Sequence, residues 1–301
     1  MQSMYAYSQS ENDNLATEEK FLLKSMDEMY DLYLLLLNLF VEIRKHAAEY
    51  MEKAQQKHLP SEEEVDPNRR FVDNELLALL DQNESLRNAL EARKLNNWKN
   101  DDEYVEILWK EIRESEEYAE YMSSRTGTFE EDKKFVIEIF KKIIAPNEKL
   151  YDYLEDKKIT WVDDLPLVNT AIVKMLQKAK AEKQTALTRL FKNTEDKEYA
   201  VELFRKTLLN DAKLSEEMEG KTPNWDKERI ADLDRILIKM AICEFLKFPS
   251  IPVKVTINEY LEIAKEYSTP KSSIFINGIL DKLSKEYKEG GKLNKMGRGL
   301  M

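Results

Sequence analysis

The stretch WDKERIADLDRILIKMAICEFLKFPSIPVKVTINEYLEIAKEYSTPKSSIFINGILDKL, residues Trp225 to Leu283, holds three amphipathic patterns in close succession. The first runs from about Glu228 to Leu246, with Ile230, Leu233, Leu237, Met240 and Ala241 at helical spacing. The second runs from Pro252 or Thr256 to Tyr267, with Ile257, Leu261 and Ala264 on one face. The third opens near Ser272 and carries Ile276, Ile279, Leu280 and Leu283. Apolar residues at i, i+3, i+4 and i+7 mark helices that must bury one face. The links between them are short, so each helix finds its partner in the others.

Composition extends this reading to the whole chain. Seven Gly and eight Pro in 301 residues are too few turn-formers for a sheet protein, and the fold class is all-α. A single cysteine, Cys243, excludes an intramolecular disulfide framework and a cysteine-cluster zinc site. It lies in an apolar helix, which suits a packed thiol. The most apolar segment, Leu32–Ile43, is interrupted by Asn38 and is too short to cross a bilayer. No secretory signal is visible, and we expect a cytoplasmic protein. The net charge of −11 opposes nucleic-acid binding by the chain as a whole. Residues 250–301, however, hold nine basic and six acidic residues, a local +3. One end could therefore meet RNA while the rest stays acidic.

The same C-terminal stretch resembles the NusB family of transcription antitermination factors. The resemblance rests on Asp234, Leu237, Ala241 and Glu244, then on Ile251, Pro252, Lys254, Val255, Ile257, Asn258, Glu259, Glu262, Ala264 and Lys265. Ser272, Phe275, Ile276, Asn277, Gly278, Leu280, Asp281 and Lys282 complete it. It implies two packed helical bundles with an additional inserted helical unit. It also implies a non-enzymatic factor that binds single-stranded, boxA-like RNA of ribosomal RNA leaders beside the ribosomal protein NusE, and so helps RNA polymerase past terminators. Members of the family open with an arginine-rich stretch ahead of a helix like Ser3-Met4-Tyr5. Here that stretch is absent, and we expect it about a dozen residues upstream of Met1.

Further along, Lys20 to Ala54 reads as one long helix with a wide apolar band. Leu59–Asn68 reads as a loop, Phe71–Lys94 and Asp101–Met122 as helical, and Ser123–Thr128 as a break. Glu131–Trp161 then aligns without gaps to Glu195–Trp225 at an offset of 64, with about a third of the positions identical. Phe140 pairs with Phe204, Leu150 with Leu214 and Trp161 with Trp225. A fixed offset points to a duplicated supersecondary unit. The expected organisation is an N-terminal bundle at 1–130, an inserted repeat at 131–190, the NusB-like bundle at 191–287 and a basic flexible tail at 288–301.

Few residues invite chemistry. Thr256-Ile257-Asn258-Glu259 fits a capping box, unless Pro252 begins the helix and leaves Glu259 in its interior. Glu244 falls near an apolar stripe and needs a donor, with Lys247 or a helix end in reach. Glu42 and His46 lie one residue too far apart for the Glu-x-x-His spacing of di-iron bundles, and no metal site is expected. No phosphate loop, nucleophile–base pair or cofactor fingerprint occurs, so neither catalytic residues nor a cofactor are expected. The candidates for RNA gather at the last helix. Phe275 beside Lys271, Ser272 and Ser273 offers a stacking face with a cation and hydroxyls, and Ser272 suits an N-cap. The resemblance adds Tyr5, Lys265 and Asn277 to the RNA-facing set. Lys271 stands where many relatives carry an acid, which favours phosphate here. The rival reading is a helical protein–protein adaptor without RNA binding; salt-dependent RNA affinity separates the two.

Overall fold

A computed structural model describes residues 1–10, 14–56, 58, 61–183, 185–219 and 230–300. Among them every regular element is helical. In chain order these are α1 (Gln2–Gln9), α2 (Leu15–Gln55), α3 (Glu62–Val65), α4 (Glu75–Asp81), α5 (Glu84–Arg93), α6 (Asn97–Asn100), α7 (Glu103–Glu114) and α8 (Glu116–Met122). They continue with α9 (Phe129–Ile139), α10 (Glu148–Lys157), α11 (Ile159–Lys178), α12 (Thr194–Leu209), α13 (Asp211–Met218), α14 (Asp232–Lys247), α15 (Val253–Tyr267) and α16 (Ser272–Glu289). None of the described helices is long and apolar enough to cross a membrane.

The chain divides into two compact units, Met1–Lys24 with Phe191–Met301, and Ser25–Leu190. The second is built around α2, whose residues Leu32 to Leu37 are all buried. That run is apolar on every face, so it can be satisfied only by neighbours on all sides. Phe71, Trp98, Trp109 and Phe140 complete this core. Trp98 donates its indole N–H to the Leu35 carbonyl at 2.8 Å, and Trp161 donates to that of Glu28 at 2.9 Å. The residues expected as an insertion, 131–190, share this core with the helices before them: α9 packs on α4 and α8, and α11 on α9.

The two aligned stretches are both helical where they are described. Helix α9 runs on through a π-helical segment, Phe140–Ile144, and α10 follows; α12 is followed by α13 in the same way. Phe140 and Phe204 are buried, as are Leu150 and Leu214. Trp161 is buried in the first copy. Trp225, its counterpart, lies outside the described residues, as does Glu228, the expected start of the first helix of the opening stretch.

The other unit assembles on α14, which packs against α1, α12, α13, α15 and α16. Helix α14 is buried on most of its surface, from Leu237 through Phe245. Cys243 is fully buried there, and burial pushes its thiol up. Met4 anchors α1 in the same core. Helix α15 starts at Val253, with Pro252 as its cap residue. The capping box at Thr256 is therefore not formed: Thr256 is inside the helix and fully buried, and Glu259 is exposed. Of the stretch 288–301, expected to be flexible, Lys295 and Met296 bond to the end of α14 and the α14–α15 link. Lys295 Nζ donates to the carbonyls of Glu244 and Phe248, closing the end of α14, and the Met296 amide donates to the Pro249 carbonyl.

Candidate functional site

Two buried carboxylates on α14 set the position of α15 and α16. Glu244, 3% exposed, accepts hydrogen bonds from the Tyr199 hydroxyl of α12 and from Thr256 Oγ1 of α15, the latter at 2.5 Å. Tyr260 Oη lies 3.4 Å from the same carboxylate. Burial and the nearby carboxylate raise the pKa of Tyr199 and Tyr260, so both remain donors. The donors are hydroxyls from other helices rather than Lys247. Asp234, in the first turn of α14, accepts from Ser268 Oγ at 2.6 Å and from Ser272 Oγ at 2.7 Å. Ser268 ends α15 and Ser272 begins α16, so one carboxylate fixes the whole turn between them.

This arrangement decides what α16 presents. Ser272 is 3% exposed and its hydroxyl is committed to Asp234, which leaves no hydroxyl to offer a phosphate. Nor is Ser272 the N-cap: that position is Lys271, in a helical conformation with no side-chain cap bond. The first-turn amides are left without a side-chain partner, the situation in which helix starts accept anions or water. Asp234 already supplies one negative charge near this end.

Lys271 is exposed, and Phe275, four residues on, is partly buried against the core. The Phe275 amide donates to the Lys271 carbonyl at 3.1 Å, so the two side chains share one face of the first turns. Ile274 between them is 75% exposed, and an added Cβ at Gly278 would meet nothing within 4 Å. Positions 271, 274, 275 and 278 follow the i, i+3, i+4, i+7 rule on the outward side, opposite Ile276, Ile279, Leu280 and Leu283. The result is a strip with a cation at its start, two apolar side chains in the middle and an open glycine at its end. Ile274 and Gly278 were not among the sequence candidates. Their signal was the outward phase of the helix, which leaves an isoleucine with no reason to face water.

Asn277 is half-buried on the flank of this strip. Lys265 is exposed in the last turn of α15 and holds Glu262 at 2.5 Å, a pair with both partners open to solvent. Tyr5 is 40% exposed on α1. It belongs to a different element from the rest: α1 packs on α14, and α16 packs on α14 and α15. Glu42, weighed above as a metal ligand, pairs with Lys45 at 3.0 Å.

Residues 163–285 match the NusB family model. Among curated proteins, the transcription antitermination protein NusB of Salinibacter ruber is 45% identical over 105 residues, 35% of this chain and 66% of the relative. That of Chloroherpeton thalassium is 41% identical over 105 residues, covering 35% and 50%. That of Koribacter versatilis is 38% identical over 92 residues, covering 31% and 63%. The chain thus spans between half and two thirds of the length of these relatives. No solved structure matches it.

Proposed function

We propose that this chain, whose residues 163–285 are a NusB-family domain, is a transcription antitermination factor. Its ligand is single-stranded, boxA-like RNA of ribosomal RNA leaders, and its binding partner is the ribosomal protein NusE. It acts on the RNA polymerase elongation complex indirectly, in the cytoplasm and without a catalytic step. The observation that supports this most is the outward strip of α16, in which Lys271 and Phe275 share a face with an exposed isoleucine and an open glycine.

The chemistry follows from the side chains. A base stacks on the Phe275–Ile274 surface over Gly278, where no Cβ intrudes. Such stacking contributes about 1–3 kcal/mol per base and tolerates any base. Lys271 meets a phosphate, and Lys265 can exchange its exposed carboxylate partner for another at little cost. Two lysines are a weak electrostatic footprint. The unit that carries them holds 22 basic and 23 acidic residues, so it repels RNA little but attracts it little. NusE supplies the missing positive surface, and the composite binds more tightly than either protein alone.

The test is the affinity of a boxA-like RNA for the complex with NusE, comparing the natural chain with Lys271→Glu combined with Phe275→Ala. Lys271 is exposed and Phe275 only partly buried, so folding should be retained, which circular dichroism and thermal unfolding check. We expect affinity to fall by about 10- to 100-fold, from one lost stacking contact and one reversed charge. Unchanged affinity removes α16 from the interface. NusE binding without measurable RNA affinity in the natural chain favours the adaptor reading instead.

A further inference from the structure

The unit at residues 25–190 carries 25 basic and 35 acidic residues, a net charge of −10. Against that background its last stretch is inverted: residues 165–190 hold five basic residues and one acid, Glu182. Four of the five, Lys174, Lys178, Lys180 and Lys183, line one surface cavity of about 450 Å³. Its described lining contains no carboxylate. All four lysines are exposed, and none has an ion-pair partner among the described residues. Elsewhere in the unit Lys45, Lys53, Lys133, Lys142, Lys157 and Lys158 each pair with a carboxylate.

The cavity is held in shape rather than left as a loose loop. Lys174 and Lys178 are one turn apart on α11 and lie side by side. After α11 the chain reverses through Glu182, whose φ of +58° is a left-handed conformation, and the Lys183 amide donates to the Lys180 carbonyl. Four bonds from the body of the unit pin this segment. Lys133 Nζ donates to the Ala179 carbonyl, and the Glu182 amide donates to Glu75 Oε1. Asn83, itself buried, donates to the Thr185 carbonyl at 2.8 Å, and the Thr188 amide donates to the Tyr33 hydroxyl. Thr185 also lines the cavity. It is 8% exposed, and its hydroxyl is buried with no hydrogen-bond partner among the described residues. A buried hydroxyl left unpaired is destabilising. An acceptor in the cavity would remove that cost.

We infer that this cavity is a phosphate-binding site for the RNA backbone, taking a stretch of the same strand that lies outside the boxA-like element. Four lysines and one unsatisfied hydroxyl suit phosphate oxygens. No aromatic side chain is among its described lining, so it tracks the backbone without reading bases. The RNA identity of the ligand rests on the function proposed above.

The experiment uses two single-stranded RNAs, the boxA-like element alone and the same element inside a longer uridine tract. Affinities of the full chain with NusE are measured across a salt series. The variants are Lys174→Gln/Lys178→Gln/Lys180→Gln/Lys183→Gln and, separately, Thr185→Val. The natural chain should bind the longer RNA more tightly and with a steeper salt dependence. The fourfold variant should lose that gain, its log–log slope on the long RNA falling by about 2–3, while the short RNA is unaffected. Thr185→Val should weaken the long RNA yet leave the protein as stable or more so, since it removes an orphaned hydroxyl; that combination separates a ligand role from a packing role. An unchanged slope in the fourfold variant overturns the site. So does lysine-dependent binding of polyglutamate with no effect on RNA, which would point to an acidic protein, or competition by inorganic phosphate alone at equal strength. If the short RNA fails to bind but a uridine tract still binds through the four lysines, the boxA reading fails and this site stands.

Discussion

Glu244 shows how a single side chain can hold three helices. Its carboxylate takes hydroxyl donors from α12 and α15 while riding on α14. Replacing it by alanine leaves the Thr256 and Tyr199 hydroxyls stranded beside a cavity. We expect Glu244→Ala to destabilise this unit by about 2–4 kcal/mol, and Glu244→Gln by less, because an amide oxygen still accepts one of the bonds. Thermal unfolding of both variants checks the order; equal melting of Glu244→Ala and the natural chain would contradict it. The sequence made Glu244 suspicious, being a carboxylate near an apolar stripe, but it offered Lys247 as the donor. Tyr199 lies 45 positions away, and hydroxyl donors from other helices leave no mark in local spacing. Phe275 was legible in type and position. Ser272 was legible as polar at a helix start, but not as buried, because the Asp234 that claims it sits 38 residues earlier.

At the scale of elements, the periodic patterns predicted α14, α15 and α16 closely, since their apolar faces are long and regular. Their beginnings were harder. Two start signals competed for α15, and the proline prevailed over the Thr256 box because Thr256 is drawn inward by Glu244. The seat of α16 is similarly a tertiary matter: Asp234 grips the residues on both sides of the turn. Asp234→Ala should loosen residues 268–275, seen as faster amide exchange there, and lower RNA affinity without touching the exposed strip. Unchanged exchange would mean that the turn is held by other contacts. In the other unit, burial together with Asp163 and Glu28 pushes Asp164 of α11 up to about 7. The folded state then holds its proton more tightly than the unfolded chain does. Its ionisation penalty is full above pH 7 and is relieved as pH falls from about 7 towards the ordinary value of 3.8. Asp164→Asn should therefore stabilise this unit at pH 8 by ~1–2 kcal/mol, allowing for partial solvent screening, and the gain should shrink towards pH 4. A gain that grew with acidity would have the wrong sign for this cause.

Over the whole molecule, charge divides as the two units do. Of the net −11, the unit at 25–190 carries −10 and the other unit nearly none. Composition alone showed the imbalance only as a basic C-terminal end. It could not show that residues 25–190 form a unit with a core of their own, because that depends on α9 and α11 packing on helices far earlier in the chain. The matched Phe and Leu positions of the expected repeat are core residues in both stretches. The surface proposed for RNA takes its place from the resemblance, and the outward phase of α16 adds Ile274 and Gly278 to it. The most direct test of the central claim is ultraviolet cross-linking of a short boxA-like RNA to the chain with NusE, with the attached peptides identified by mass spectrometry. Cross-links are expected at Phe275 and its neighbours in the first turns of α16. Cross-links confined to other surfaces, with none on α16, would contradict it.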